Sequence, residues 1–337
     1  MAAFSGQPSV SIIIPTWNGA GRIERCLSAL RNQDFGRPFE IVVVNDGSTD
    51  GTLDILARYK EVRLITQANA GPAAARNHGA RAASGDIIVF TDDDCEPLAN
   101  WLTEMVRPFA DPEVVGAKGV YRTRQSNIVA RFVQIEYEDR YRLLARQPTI
   151  DFIDTYSAAF RRDRFLETSG YDSSFPVACA EDAELSYRMS ARGWRMVFVP
   201  AAAVYHRHPD SLVAYVRKKF KFAFWRVLAV KKNPAKAIKD SHTPQLMKLQ
   251  MVFAPALALG LLARVTGLTV VPLCSIVAEI FLLSALPFTL RAFTRDPTVA
   301  VLSPWILAAR SCSQFLGVAC GACYALRAST GISPVQP

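Results

Sequence analysis

The sequence lacks several features that would place it in a common class of protein. Its seven cysteines are scattered and odd in number, so they predict no disulfide framework. Neither common glycine-rich phosphate loop occurs, G-x-G-x-x-G or G-x-x-x-x-G-K-[ST]. This absence argues against a dinucleotide-dependent enzyme and against a P-loop ATPase. Residues 1–6 contain neither a basic start nor an apolar run, so no secretory signal peptide is expected there.

Charge is distributed unevenly along the 337 residues, whose formal net charge is +9. From Ser211 onward there are 15 Lys and Arg against three acidic residues, a net of +12, which leaves −3 for the first 210 residues. The basic residues concentrate between Arg217 and Lys248, directly before long apolar segments. A high pI can indicate a nucleic-acid partner. The placement of these charges fits the anionic face of a membrane better, so we expect no nucleic-acid partner.

Three apolar segments follow the basic stretch, at residues 249–263, 267–288 and 299–326. The second is long enough to cross a bilayer. The first is short, and the third is interrupted by Pro304 and Arg310. We favour three membrane segments, with two as the alternative. A purely soluble helical domain is the competing interpretation, and the density of apolar residues argues against it.

The basic stretch also predicts how the chain is oriented in the membrane. Ten Lys and Arg between Arg217 and Lys248 should remain cytoplasmic by the positive-inside rule. Apolar residues recur at helical spacing from Val213 to Val227 with basic residues between them, which is typical of an interfacial amphipathic helix. The sequence therefore predicts a globular domain at 1–210 that faces the cytosol, interfacial helices at 211–248, and membrane helices at 249–330 in the inner membrane.

The first ninety residues alternate between strand and helix patterns. Apolar, β-branched runs predict four buried strands, and apolar residues at helical spacing lie between them. Such alternation is typical of an α/β domain with a parallel sheet and right-handed crossovers. The predicted strands are residues 9–14, 40–44, 62–65 and 86–90.

Polar residues cluster where these strands end. Thr16, Asp46 and the Asp92–Asp94 triplet each follow a strand, and the carboxyl ends of parallel strands share one edge of a sheet. Three adjacent carboxylates repel one another, and a divalent cation or a helix N-terminus relieves the repulsion. The alternative for the triplet is an acidic turn that caps the next helix. Together these residues predict a nucleotide site that holds a hard divalent cation, Mn²⁺ or Mg²⁺.

Six sequence segments occur in a characteristic order. They are SIIIPTWN at 11–18, VVNDGSTDGT at 43–52, ARNHG at 75–79, GDIIVFTDDD at 85–94, GYD at 170–172 and EDAEL at 181–185. Together they resemble the family 2 glycosyltransferases of the GT-A fold, over roughly residues 8 to 210. The resemblance implies a Rossmann-like nucleotide-diphospho-sugar transferase domain, a nucleotide-diphosphate sugar donor and a divalent cation.

The resemblance implies roles for the residues of the nucleotide site. Thr16, with Pro15 before it, and Asp46 resemble contacts to the base and ribose of the donor. Arg76 resembles the arginine that holds the nucleotide, and a salt bridge on a helix surface is its alternative. These positions follow strands or open a helix, as a site at the sheet edge requires.

The aspartate triplet resembles the family's D-x-D motif. Asp92 and Asp94 fit the pair, and Asp94 is favoured as the direct metal ligand. Asp93 could replace either one in register, so it is also expected to contact the donor. His206 resembles a histidine that some relatives use as a further ligand of the metal or the diphosphate, while a structural role is its alternative.

Glu181 and Asp182 resemble the family's E-D pair, in which the aspartate is the general base. An inverting transfer needs a carboxylate that removes a proton from the acceptor hydroxyl. The alternative is that both acids only favour the first turn of a helix. Tyr156 and Trp194 are plausible acceptor contacts, although packing explains each of them as well.

The resemblance, together with the apolar segments, implies a membrane-anchored, inverting glycosyltransferase with a lipid-linked or membrane-associated saccharide acceptor. A processive polysaccharide synthase is the alternative within the class. The closest stretch to that group's Q-x-x-R-W motif is FAFWR at 222–226, which lacks the glutamine and inverts the last pair. A catalytically inactive membrane scaffold and a nucleotidyltransferase are the alternatives from other classes.

Overall fold

The computed structural model describes residues 8–175, 179–236, 241, 243–265 and 271–329. The signal-peptide prediction concerns residues 1–6, which lie outside these ranges. The chain divides into two compact units. The first contains Met1–Arg124 and Tyr141–Arg207, and the second contains Gln125–Arg140 and His208–Pro337.

The first unit is built on one mixed sheet of eight strands, in the order β3-β2-β1-β4-β7-β6-β8-β5. The four strands predicted from the sequence pair in parallel, and β6 and β8 are also parallel. Antiparallel pairing enters through β7 and β5. The expected α/β class with a mostly parallel sheet is therefore confirmed. The strands are β1 Val10–Thr16, β2 Glu40–Asp46, β3 Val62–Gln67, β4 Ile87–Phe90, β5 Glu96–Pro97, β6 Val114–Arg122, β7 Ala158–Arg161 and β8 Arg195–Tyr205.

Helices connect these strands because their apolar residues recur on one face. In the first helix Ile23, Cys26, Leu27 and Leu30 are buried, which is the i, i+3, i+4, i+7 pattern of a helix packed on a core. The helices are α1 Ile23–Arg31, α2 Thr52–Leu56, α3 Pro72–Ala82, α4 Trp101–Val106, α5 Ile128–Leu144, α6 Arg162–Glu167 and α7 Glu181–Ala191.

Strand β1 runs two residues further than its apolar pattern predicts. It includes Pro15 and Thr16, which the sequence suggested would lie in a loop. Both residues pair with β2, whereas pairing with β4 stops at Ile13. Proline lacks a backbone donor and is tolerated at such a strand end. The extension places the Thr16 side chain at the edge of the sheet.

Among its described residues from 208 onward, the second unit contains four long helices: α8 Leu212–Lys232, α9 Gln245–Val265, α10 Val271–Phe293 and α11 Pro297–Ser329. Within the described residues, three stretches are long and apolar enough to cross a membrane, Gln245–Ala263, Cys274–Phe293 and Pro297–Arg327. They fit the three predicted membrane segments.

Two glycines let α11 approach α8 closely. A Cβ at Gly317 would lie 2.5 Å from the carbonyl oxygen of Phe220, and one at Gly321 would lie 2.5 Å from that of Phe224. Small residues at this spacing allow such contacts between transmembrane helices. A larger side chain at either position would force the two helices apart.

Residues 125–140 belong to the second unit, which the sequence did not indicate. Glu136 is buried there, and its two oxygens lie 2.7 Å from Lys219 Nζ and 2.9 Å from Arg310 Nη1. Tyr215 donates a further hydrogen bond of 3.2 Å to the same carboxylate. A buried carboxylate requires such partners because desolvation of a lone charge is costly. This network therefore links α5 to α8 and α11.

Candidate active site

The ends of β1 and β4 meet, as the parallel arrangement predicts. Thr16 Oγ1 donates a 2.6 Å hydrogen bond to Asp93 Oδ2, and Arg22 Nε donates a 2.7 Å bond to Asp93 Oδ1. Asp93 is only 7% exposed, and its burial raises the pKa of its carboxyl group. Both carboxylate oxygens of Asp93 are thus already bonded to side chains of the protein.

The aspartates on either side of Asp93 are more exposed. The side chains of Asp92 and Asp94 are 26% and 38% exposed, against 9% for that of Asp93. Asp94 Oδ1 lies 3.4 Å from His206 Nδ1. Asp93 and Asp94 lie in a turn that the 3.1 Å bond from Cys95 N to Asp92 O closes, and of the three carboxylates the second is the buried one.

His206 follows the last residue of β8, and its backbone N–H donates a 2.9 Å bond to Arg122 O. The ring of His206 lies beside Asp94 and Cys95. Each of these three residues offers one possible metal-ligand atom, and the three atoms lie within 4.8 Å of one another. A carboxylate oxygen and an imidazole nitrogen can bind a divalent transition metal. Burial raises the pKa of the Cys95 thiol, so that group remains protonated. The residues present fit a divalent cation.

His208, two residues after His206, has different neighbours. His208 Nε2 is 3.0 Å from Gln134 Oε1, and the two residues belong to the second unit. His208 is 4% exposed and its ring stacks on Tyr137. Its surroundings identify it as a packing residue.

Arg76 on α3 is buried, at 2% exposure, and does not form a salt bridge on the helix surface. Its Nη2 donates a 2.6 Å bond to Asp92 Oδ1, and its Nη1 donates a 3.2 Å bond to Glu181 Oε1. The two carboxylates raise the pKa of the guanidinium against the opposing effect of burial. Arg76 therefore connects the aspartate triplet to the start of α7.

The two acids at the start of α7 have different environments. Glu181 is 2% exposed, and its Oε2 accepts bonds from the backbone N–H groups of Cys179 at 2.8 Å and Ala180 at 3.1 Å. Burial and the neighbouring Asp182 raise the pKa of Glu181, while Arg76 lowers it. Asp182 is partly exposed, and its Oδ1 accepts from the N–H of Ala183. Glu181 thus orders the loop, and Asp182 is the more accessible acid.

Asp46 holds the segment that precedes α3. Its carboxylate accepts bonds from Gln67 Nε2 at 2.7 Å, from Ala70 N at 2.9 Å and from Gly71 N at 2.9 Å. Gly71 has φ of +88°, a conformation that glycine adopts readily. The carboxylate proposed for base recognition therefore also orients the helix that carries Arg76.

The two aromatic residues singled out for the acceptor pack against the protein. Tyr156 is 3% exposed and its ring stacks on Tyr121. Trp194 lies against the guanidinium groups of Arg164 and Arg192, at 5.4 and 5.0 Å. Packing against neighbouring side chains therefore accounts for the positions of both Tyr156 and Trp194.

Three residues of the site carried no clear sequence signal. Arg22 binds Asp93, Cys95 lies beside the metal-ligand candidates, and Tyr121 stacks on His206. Cys95 could have been considered because it directly follows the triplet. Arg22 and Tyr121 reach the site only through long-range packing.

Residues 11–168 match the family model described as Glycosyl transferase family 2. Among curated proteins, the chain is 27% identical over 319 residues to an N-acetylglucosaminyltransferase of Azorhizobium caulinodans, covering 80% of this chain and 77% of that protein. It is 26% identical over 219 residues to the pre-mycofactocin glycosyltransferase of Mycobacterium tuberculosis, covering 62% of this chain. That match spans 45% of the mycobacterial protein's length.

A solved structure supports the fold. The chain aligns with the mannosyltransferase PcManGT from Pyrobaculum calidifontis, in complex with GDP-Man and Mn²⁺, with a TM-score of 0.61 and 21% identity. The alignment covers 94% of this chain and 88% of that chain. The GT-A expectation is confirmed at the level of the fold.

Proposed function

We propose that this chain transfers a sugar from a nucleotide-diphosphate donor to an acceptor hydroxyl. The match of residues 11–168 to the model of glycosyl transferase family 2 supports this proposal. One observation carries the proposal. Arg76 joins Asp92 of the aspartate triplet to Glu181, the neighbour of the accessible Asp182. The proposal assigns the diphosphate to the aspartate triplet and the proton to Asp182, and it is supported by the link that Arg76 makes between these two positions.

The proposed transfer inverts the configuration at the anomeric carbon. The acceptor oxygen forms a bond to that carbon as the bond from the carbon to the diphosphate oxygen breaks. Asp182 takes the proton of the acceptor hydroxyl, and the nucleoside diphosphate leaves with the bonding electron pair. Glu181 accepts bonds from the Cys179 and Ala180 N–H groups and so holds the loop that presents Asp182.

Asp94, Asp92 and His206 would hold a divalent cation, Mn²⁺ or Mg²⁺. When bound, such an ion supplies positive charge that stabilises the diphosphate as it leaves. Asp93 is assigned to positioning rather than to ligation, because Thr16 and Arg22 already bind both of its oxygens. Thr16, Pro15 and Asp46 remain candidates for the nucleoside contacts.

The acceptor is proposed to be a lipid-linked or membrane-associated saccharide. Three helices of the second unit are apolar and long enough to cross a membrane. Helix α8 carries exposed basic residues, Arg217 and Lys221 among them, which suits an anionic surface. We place the enzyme in the inner membrane with its catalytic domain, residues 1–210, in the cytosol, followed by an interfacial region at 211–248 and membrane helices at 249–330.

The first test uses the purified full chain with a panel of nucleotide sugars that includes GDP-Man and UDP-GlcNAc, with Mn²⁺ or Mg²⁺. We expect nucleoside diphosphate release that requires the metal and increases on addition of a membrane lipid extract. Product analysis then separates single transfer from chain elongation, the expected result of a processive synthase. Donor panels that give neither release nor binding would contradict the enzyme and favour a scaffold.

A second prediction concerns the register of the triplet. Asp94→Asn should weaken Mn²⁺ binding by more than about 100-fold, since loss of a ligand exceeds the effect of an outer-shell change. Asp93→Asn should weaken it only about tenfold, the lower end of an outer-shell effect, because both oxygens of Asp93 contact the protein. Electron paramagnetic resonance of free Mn²⁺ measures both affinities. Equal losses in the two variants would contradict this assignment.

A further inference from the structure

The imidazole of His206 is covered by a column of aromatic rings in the first unit. Tyr121 on β6 lies parallel to it, with ring centroids 4.5 Å apart and planes inclined by 21°. Tyr156 stacks on Tyr121 with an interplanar angle of 14°. The column thus runs from Tyr156 through Tyr121 to the histidine beside Asp94.

Hydrogen bonds fix the far end of this column. The hydroxyls of Tyr156 and Tyr141 lie 2.8 Å apart, and Tyr141 Oη also accepts a 2.8 Å bond from the backbone N–H of Tyr121. Tyr121, Tyr141 and Tyr156 are 6%, 9% and 3% exposed. The bonded hydroxyls hold the rings of Tyr141 and Tyr156, and Tyr121 is held through its backbone N–H and by its stack on Tyr156, so Tyr121 presents a fixed face to His206.

A fixed face restricts the histidine in the way that metal binding requires. The backbone of His206 is held by Arg122, but its ring could still rotate about two side-chain bonds. Stacking on Tyr121 selects the plane in which Nδ1 points to Asp94 Oδ1. A ligand already in its bound orientation loses less side-chain freedom on binding, and outer-shell residues act in this way.

We propose that Tyr121 is a positioning residue that, held by Tyr156 and Tyr141, fixes the imidazole of His206 for binding a divalent cation. This inference rests on the proposed function, in which His206 is a metal ligand. Neither the family match nor the triplet predicts it, because Tyr121 lies outside every motif that carried the resemblance.

The test measures Mn²⁺ binding to the full chain in detergent by electron paramagnetic resonance. Tyr121→Leu should raise the Mn²⁺ dissociation constant about tenfold, at the lower end of outer-shell effects. Tyr121→Phe keeps the ring and should stay within about threefold of the natural protein. The same substitutions are then made beside His206→Ala. In the His206→Ala protein, Tyr121→Leu should change the Mn²⁺ affinity by less than about twofold, because the Tyr121 ring no longer has an imidazole to orient.

Other results would overturn the inference. Tyr121→Leu that binds Mn²⁺ like the natural protein, or weakens it equally without His206, would show that the ring acts only as packing. If Tyr121→Leu does not fold, Tyr156→Phe replaces it, because it removes the hydroxyl contact and keeps the ring. We expect it to weaken binding about twofold to threefold, and only when His206 is present. Loss of the proposed function appears separately, as absent nucleoside diphosphate release by the natural protein.

Discussion

Replacing Asp182 with asparagine is expected to slow sugar transfer by about 10³-fold, within the usual contribution of a general base. Asparagine is similar in size and can still accept the bond from the Ala183 N–H, but it cannot take a proton. Binding of the nucleotide sugar should remain within about threefold, because the substitution leaves the aspartate triplet and Arg76 unchanged. Steady-state release of nucleoside diphosphate and a separate donor-binding assay measure the two quantities.

A matched control is Asp54→Asn, which changes an exposed aspartate in the first turn of α2. It alters charge at a helix N-terminus in the same domain, so it controls for the loss of favourable charge at the start of a helix. Transfer by this variant should be unchanged. If both variants lose activity equally, or if Asp182→Asn retains it, Asp182 serves only its helix and another group removes the proton.

Replacing Arg76 with methionine is expected to lower the free energy of unfolding by about 3–5 kcal/mol, the usual effect of removing one partner from a buried ion pair. Methionine fills much of the same volume, so the main change is electrostatic. Glu181 is 2% exposed, and it would lose its buried cationic partner while Asp92 loses a 2.6 Å bond. Chemical unfolding followed by tryptophan fluorescence measures the change.

Arg81→Met on the same helix is the control for that experiment. Arg81 is exposed near the end of α3, and its replacement should change the free energy of unfolding by less than about 0.5 kcal/mol. A similar small effect for Arg76→Met would mean that the two carboxylates are neutral or solvated without the arginine. The activity of Arg76→Met should also fall, because Asp92 and the start of α7 would no longer be joined.

Much of the fold could be predicted because its signals are local. Apolar runs such as residues 40–44 and helical spacing such as Ile23 to Leu30 depend on neighbouring residues alone. The antiparallel strands carried weaker signals. β7 has only four residues and β5 has two, so neither offers a period long enough to identify.

The placement of residues 125–140 shows where local signals stop. Ile128 and Phe132 are spaced as on one face of a helix, but this spacing does not indicate that residues 125–140 belong to the second unit. Glu136 in this helix bonds Lys219 and Arg310, which lie 83 and 174 residues further along the chain. No periodicity within the helix encodes that pairing.

Local patterns in the sequence are enough to give the α/β class, the order of the motifs, and the strand ends at which Thr16, Asp46 and the triplet lie. Which groups face inward depends instead on contacts made in the folded chain. Asp93 turns to Thr16 across 77 residues of sequence, and Arg76 reaches Glu181 across 105. His206 lies beside Asp94 whereas His208 bonds Gln134, and Arg76 bonds Glu181. Side-chain direction depends on partners that folding brings together, whereas strand and helix depend on the adjacent chain.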